Sequence, residues 1–212
     1  SAYYKLGDYA KARDVLERTL AIEERAYGRD HPEVAPTLTN LGNAYYSLGD
    51  YAKARDMLER ALAINERAYG RDHPEVAITL ANLGDTYYYT GDHAKQCELY
   101  ERALAIKERA YGREHAQVAS TLTNLGNAYG KLGDQAKQRD MLERALAIKE
   151  RAHGRDHVNV ATTLGSLGMA YGALGDAAKK REYITRTISI FEAAYSPDHP
   201  HAKFYRAQLE SM

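Results

Sequence analysis

Apolar residues recur along this chain at spacings of three and four, which place them on one face of a helix. The first complete stripe comprises Val34, Leu38, Leu41, Tyr45 and Leu48. The segment 30–33, Asp-His-Pro-Glu, precedes the stripe and is typical of a helix start with proline in the first turn. Gly49 and Asp50 follow the stripe, and they predict a helix stop and a tight turn.

A second helix is predicted from about Tyr51 to Ala68, with charged residues on one side and apolar residues on the other. The residues available for burial are Ala54, Leu58, Ala61, Leu62 and Ile64. The segment 70–72, Gly-Arg-Asp, ends this helix. A helix, a tight turn, a longer helix and a short loop make a helical hairpin, whose apolar sides need neighbours.

The whole pattern returns every 42 residues, and segments 31–72 and 73–114 are identical at 28 of 42 positions. The period is marked by His31, His73, His115, His157 and His199, by Gly7, Gly49, Gly91, Gly133 and Gly175, and by Arg18, Arg60, Arg102, Arg144 and Arg186. Such self-similarity predicts an all-α solenoid, in which each unit buries its apolar face only against its neighbours. We interpret the histidines as caps or packing residues of the loop before each first helix.

The period also predicts the organisation of residues 1–212 as a single solenoid domain. Its parts are a partial repeat at 1–30, full repeats at 31–72, 73–114, 115–156 and 157–198, and a C-terminal capping helix at 199–212. At the other end no cap is evident, and Ala2, Tyr3 and Leu6 would lie open. We therefore expect either that the chain was cut from a longer solenoid or that this end packs on another molecule.

Small residues recur beside the apolar stripes. Glycine in a helix interior costs about 1 kcal/mol relative to alanine. It nevertheless returns at Gly42, Gly84, Gly126 and Gly168. A close approach of two helices at these positions is the predicted reason, because larger side chains would overpack such a crossing.

The small and apolar positions together carry a resemblance to a known family. Those that match the tetratricopeptide pattern are Leu38, Leu41, Gly42, Tyr45, Gly49, Ala54, Leu58 and Ala61. The 42-residue unit, with its Leu-x-Asn-Leu-Gly and Leu-Glu-Arg-Ala-Leu-Ala-Ile helices, resembles the repeats of kinesin light chain and related scaffolds. This resemblance covers nearly the whole chain. It implies a right-handed superhelix of stacked antiparallel helix pairs, whose first helices line a concave surface that holds extended peptides.

The face of the first helices opposite the buried stripe carries amides, hydroxyls and aromatic rings but little charge, which is typical of an interface. The candidate peptide-binding residues there are Thr39, Asn40, Asn43, Tyr46, Asn82, Asp85, Tyr88, Tyr89, Thr123, Asn124, Asn127 and Lys131. The resemblance implies that Asn40, Asn82 and Asn124 grip the peptide backbone, to which each amide offers one acceptor and two donors. The alternative is a solvated face whose asparagines were copied by tandem duplication.

Residue differences between the repeats restrict the region in which peptide binding is expected. The equivalent face of the 157–198 repeat reads Thr162, Gly165, Ser166, Met169, Gly172 and Ala173, without asparagine or tyrosine. Binding is therefore expected to centre on residues 36–131. Lys131 is the only basic side chain among the candidates, so neither the carboxylate clamp of chaperone-binding members nor the acidic cargo of kinesin light chains is expected.

Composition excludes several other classes. The 29 basic and 29 acidic residues balance, which removes the positive footprint of a nucleic-acid-binding protein. No stretch of 18 consecutive apolar residues is present to span a membrane. The single cysteine, Cys97, excludes an intramolecular disulfide and suits a reducing compartment, so we expect a cytoplasmic protein.

No residue pattern predicts an enzyme, a metal site or a cofactor. The periodic histidines stand one repeat apart, which is too far for a shared ion at bond lengths of about 2 Å. Cys97 and His93 are four residues apart, but no orienting group or oxyanion site accompanies them. Glycine turns recur without the Gly-Lys-Ser/Thr of a phosphate-binding loop.

The sequence therefore predicts a scaffold that holds an extended peptide or a partner helix in its concave groove. One alternative is a spacer that self-associates end to end through residues 1–30. Another is a sensor or regulatory part of a larger signalling protein. The identity of the partner is not encoded in any motif that we recognise.

Overall fold

The computed structural model describes residues 7–211, and over that range the chain is all-α, without strands. Its helices are α1 Tyr9–Tyr27, α2 Ala35–Ser47, α3 Tyr51–Tyr69, α4 Pro74–Thr90, α5 His93–Tyr111, α6 Ala116–Leu132, α7 Gln135–His153, α8 Val158–Ala173, α9 Ala177–Ala194 and α10 Pro200–Glu210, with a 3₁₀ turn at Pro32–Val34. The predicted alternation of shorter and longer helices is confirmed. The predicted open end, with Ala2, Tyr3 and Leu6, lies outside the described residues.

The chain divides into two compact units, Ser1–Ala110 and Tyr111–Met212. In the first unit, α2 packs against α1 and α3, and α3 packs against α4. In the second unit, each of the helices α6 to α10 packs against the next along the chain. Helices joined by such short turns pack as antiparallel neighbours. A single domain over residues 1–212 stays a prediction.

Within residues 7–211, a histidine caps the start of α4, α6, α8 and α10 and of the 3₁₀ turn that precedes α2, as predicted. Its Nδ1 accepts a hydrogen bond from the backbone N–H two residues later, at 3.1–3.3 Å. The ring also stacks on the aromatic residue four positions earlier, with centroids 4.4–5.3 Å apart. Each loop between repeats is therefore closed by one side chain that satisfies a free N–H of the helix and covers an aromatic ring.

The first turn of α2 differs from that of α4. Pro74 begins an α-helix directly, whereas Pro32–Val34 is a 3₁₀ turn before α2. Pro36, which stands where the next repeat has Ile78, has no N–H to donate to the carbonyl of Pro32. The tighter turn instead pairs the Ala35 N–H with that carbonyl.

The predicted stripes form the core, except for Leu48 and the half-buried Leu62. Val34, Leu38 and Leu41 are at most 2% exposed, but Leu48 is 41% exposed. The stripe prediction was wrong for Leu48 because α2 ends at Ser47 and the chain turns away at that point.

The interior glycines lie at helix crossings, which confirms their predicted packing role. A Cβ at Gly42 would stand 2.7 Å from Leu58 Cγ and 3.2 Å from the Ala54 carbonyl. At Gly126 the corresponding distance to Leu142 Cγ is 2.9 Å.

Three of the periodic arginines tie a second helix to the second helix one repeat earlier. Arg60 forms an ion pair with Glu24, Arg102 with Glu66, and Arg186 with Glu150. The same arginines also donate to the carbonyls of Arg29, Arg71 and Arg155 in the intervening loops. These side chains are only 20–28% exposed, so the pairs are better shielded from solvent than surface ion pairs.

Candidate functional site

The candidates on α2 and α4 lie at or near the surface of the first unit. Asn40, Tyr88 and Tyr89 are exposed, and Thr39, Asn43, Tyr46, Asn82 and Asp85 are half-buried. The Thr39 hydroxyl donates to the Ala35 carbonyl of its own helix at 3.0 Å. Thr39 is therefore available to a ligand chiefly as an acceptor.

Two concavities collect most of these residues. The larger, about 480 Å³, is lined by Pro36, Thr39, Asn40, Asn65, Tyr69, His73, Glu75, Ile78 and Thr79. The smaller, about 230 Å³, is lined by Asn43, Tyr46, Ser47, Asn82 and Asp85. The structure thus brings asparagines of neighbouring first helices together in the smaller cavity.

Four tyrosines pack on one another beside the smaller cavity, and we call Tyr46, Tyr51, Tyr88 and Tyr89 the tyrosine cluster. The Tyr51 and Tyr89 rings stack with centroids 4.4 Å apart and an interplanar angle of 6°. Tyr46 and Tyr88 meet the Tyr89 ring edge-on, at 5.5 and 5.0 Å. Burial and a hydrogen bond with Tyr89 raise the pKa of Tyr46 above that of a free tyrosine.

The cluster still presents surface to solvent, because Tyr88 is 40% and Tyr89 51% exposed. Sequence patterns placed three of its members on the face but missed Tyr51, which begins the second helix. The sequence contained little indication of Tyr51, because its contact with Tyr89 depends on how α3 packs against α4.

Asp85 is the charged member of the smaller cavity. Burial raises the pKa of its carboxyl, while the Tyr100 hydroxyl, which donates to Asp85, and the Lys107 ammonium act in the opposite direction. Tyr100 itself is 1% exposed and meets the cavity only through this bond to Asp85. It escaped the sequence analysis because the equivalent positions hold the core residues Leu58 and Leu142.

The floor of the larger cavity contains a buried polar pair that the sequence analysis also missed. Asn65 Nδ2 donates to Thr79 Oγ1 at 3.1 Å, and the two residues are 6% and 1% exposed. The sequence signal for this pair was Asn65 itself, a polar residue at a position that faces the neighbouring helix. The equivalent residues of later repeats are Lys107 and Lys149.

In the second unit the candidates are more dispersed. Asn127 and Lys131 are exposed and Asn124 is half-buried. Thr123 departs from its predicted exposed placement: it is 9% exposed, and its hydroxyl donates to the Ala119 carbonyl at 2.9 Å. Because its side chain is buried, Thr123 is less accessible to a ligand than Thr39, which makes the same bond but is half-buried.

The histidine and cysteine side chains of residues 7–211 are placed as follows. No three histidine, cysteine, aspartate or glutamate side chains in that range are grouped as metal ligands would be. Cys97 is buried, and the nearby His93 ring is hydrogen-bonded to the Gln96 side chain at 3.1 Å. None of the helices described is both long and apolar enough to cross a membrane.

Two family models, both described as tetratricopeptide repeat, match this sequence. One matches residues 1–67, 47–95, 97–151 and 139–193, and the other matches residues 76–117. No curated protein sequence is a significant match.

Several solved structures superpose well on this chain. Nearly identical TPR-like repeats from Podosopora anserina, provisionally described as a kinesin light chain, are 24% identical with a TM-score of 0.80, over 91% of both chains. BtubC (BKLC) from P. vanneervenii is 28% identical with a TM-score of 0.80, over 93% of this chain and 78% of its own. MamA is 19% identical with a TM-score of 0.66, over 91% of this chain and 94% of its own.

Proposed function

Since this chain belongs to the tetratricopeptide repeat family, whose members generally mediate protein–protein interactions and are generally not enzymes, we propose that it is a scaffold for a partner protein. The ligand is an extended peptide or a helix of that partner, held along α2 and α4. The observation that carries the proposal is the partly exposed tyrosine cluster beside a cavity lined by asparagines.

The tyrosine cluster supplies contact area at low entropic cost. Tyr89 is fixed between Tyr51 and the edges of Tyr46 and Tyr88, so its ring is already ordered before a ligand arrives. A tyrosine offers both an apolar ring and a hydroxyl, which favours it as an anchor in interfaces. Preorganisation of this kind raises affinity because little side-chain freedom is lost on binding.

Asparagines of the same face offer hydrogen bonds to a peptide backbone. Asn40 lines the larger cavity, and Asn43 and Asn82 line the smaller one. A net gain of about 1 kcal/mol per hydrogen bond implies modest affinity, roughly micromolar once the cost of association is included.

A peptide-display selection on the full chain, followed by calorimetry on the enriched peptide, tests the proposal. We expect Tyr89→Ala to weaken binding at least about tenfold, as truncation of a central aromatic anchor does. A combined Asn40→Ala and Asn82→Ala variant should also weaken it, with thermal unfolding unchanged.

Tyr27→Ala is the matched control. Tyr27 is 55% exposed on α1, stacks on His31, and lines neither cavity. Equal losses in Tyr27→Ala and Tyr89→Ala would contradict a site at the tyrosine cluster. A folded protein that enriches no peptide would contradict the proposed function altogether.

A further inference from the structure

The second unit contains a cleft that the peptide proposal does not use. Its volume is about 500 Å³, and its walls are formed by Ala116, Ser120, Lys149, Ala152, His153, Val158, Asn159, Thr162, Phe191, Tyr195, His199 and His201. None of these lining residues is acidic. The cleft therefore joins one ammonium, three imidazoles and several neutral polar groups in a space typical of small-ligand sites.

Lys149 is a half-buried cation without a counter-charge. Its Nζ donates to Thr163 Oγ1 at 2.7 Å, and it takes part in no ion pair with the described residues. Burial alone lowers the pKa of its ammonium, with no acid acting against that effect. The neighbouring acid in sequence, Glu150, is paired with Arg186 at 2.6 Å. A shielded ammonium of this kind favours the approach of an anion.

Comparison with the other repeats shows that the missing counter-charge is specific to this position. Lys107, one repeat earlier, is also half-buried, but Asp85 raises the pKa that burial lowers. In the 115–156 repeat the residue equivalent to Asp85 is the neutral Asn127. One repeat earlier still, Asn65 replaces the lysine and forms the corresponding bond to threonine without any charge.

The remaining walls also favour a negative group. Ala116, Val158 and His201 lie in the first turns of α6, α8 and α10, where the helix dipoles are positive. His199 Nδ1 accepts the N–H of His201, so the neutral ring carries its proton on Nε2 and can donate from there.

Aromatic rings line the same cleft. Phe191 is 2% exposed, stacks with His201 at 5.0 Å and with His199 at 5.6 Å, and adjoins the exposed ring of Tyr195. A ligand that fits has an apolar body to cover these rings and one negative charge to match one ammonium. We propose that this cleft binds a small organic monocarboxylate, with its carboxylate on Lys149 and its body against Phe191 and Tyr195.

Calorimetry with 4-phenylbutyrate and its neutral amide, 4-phenylbutyramide, tests the proposal on the full chain. The acid is expected to bind, and the amide to bind at least about tenfold more weakly, because it cannot form a charge-assisted bond. Lys149→Asn should weaken the acid by a similar factor while leaving the fold intact, since the same asparagine–threonine pair exists at Asn65 and Thr79. Lys107→Asn is the matched control and should leave acid binding unchanged.

A terminal peptide carboxylate carries the same chemistry as a free acid, and a second pair of probes separates the two sources. If acetyl-Ala-Ala-Phe acid binds more tightly than 4-phenylbutyrate and its amide does not, the source is a peptide C-terminus. If 4-phenylbutyrate binds more tightly, the source is a free acid. Absence of acid binding to wild type, or equal binding of acid and amide, would overturn the proposal without bearing on the tyrosine cluster. If Lys149→Asn fails to fold, the comparison of acid and amide binding to the wild-type protein still tests whether the cleft binds a carboxylate.

Discussion

Two residue differences that occur together give the 73–114 repeat a half-buried carboxyl group. Asp85 stands where other repeats have Asn43 and Asn127, and Tyr100 stands where they have leucine. The Tyr100 ring lies 3.1 Å from where a Cβ on Gly84 would be, so the glycine admits the larger ring at the crossing. The hydroxyl of that ring then donates to the carboxylate. Tyr100 therefore supplies a hydrogen-bond donor to the Asp85 carboxylate, and Asp85 supplies an acceptor to the Tyr100 hydroxyl.

Asp85→Asn is expected to stabilise the protein at pH 7. The pKa of Asp85 is raised in spite of Tyr100 and Lys107, so the cost of burying its charge exceeds their attraction. A carboxyl whose folded pKa is raised stabilises the fold below its unfolded pKa, near 3.8, and this contribution is lost as pH rises through the folded pKa. The variant should therefore unfold at a higher temperature than wild type at pH 7, by about 2–4 °C per kcal/mol. The difference should disappear below about pH 4.

Thermal unfolding followed by circular dichroism at both pH values measures this effect. Asp56→Asn removes an exposed carboxylate on α3 and should show no such dependence on pH. A variant less stable than wild type at pH 7 would mean that the attraction of Lys107 outweighs burial.

At the scale of the helices, contacts between consecutive repeats combine local caps and longer ties. The histidine caps are local, because ring, stacking partner and N–H donor lie within seven residues. The arginine ties reach further, from one second helix to the preceding one and to the loop between them. The histidine caps mark where a hairpin begins, and the arginine ties join its second helix to the hairpin before it.

Arg102→Met should lower the free energy of unfolding by about 1–3 kcal/mol, because it leaves Glu66 shielded without its cation and a loop carbonyl without its donor. Methionine keeps most of the apolar stem, so packing changes little. Arg67→Met is the control: its ion pair with Asp30 spans 3.8 Å, both side chains are at least 65% exposed, and the expected effect is near zero. Urea denaturation of both variants gives the comparison, and equal effects would show that the arginine ties add no stability.

Sequence patterns predicted the structural features that depend on residues close together along the chain. The hairpins, the caps at His31 and His73 and the packing at Gly42 all follow from short spacings. The stack of Tyr51 on Tyr89 joins residues 38 positions apart, and the Lys149 cleft joins three first-helix starts to two second helices. Such groupings depend on how hairpins rotate against each other, which a helical wheel drawn for one helix does not contain.

Across the whole molecule the formal charge is zero, and the charged residues are paired mainly along the second helices. The face that carries the tyrosine cluster has few charges of its own. The recognition that we propose at this face would rely on apolar contact and neutral hydrogen bonds, neither of which mobile ions screen strongly.

Peptide binding at the tyrosine cluster should therefore change by less than about twofold between 50 and 500 mM NaCl. Calorimetry of the selected peptide at both salt concentrations measures this, with pH and temperature held constant. An affinity that falls steeply with salt would indicate that the ligand is recognised through charge rather than through the tyrosines.

The recurrence of the same histidine cap and the same arginine tie has a consequence for the history of the gene. Unequal recombination between copies 126 nucleotides apart (three per residue of the 42-residue period) adds or removes one unit in frame. Every new junction then closes with the cap and the tie that the old ones had. The number of repeats can therefore change while these contacts are kept. The Asp85–Tyr100 pair and Lys149, which has no counter-charge, each occur in one repeat only. Deletion of either copy would remove that feature while the new junction kept its histidine cap, so a test of what these residues do belongs at those two copies.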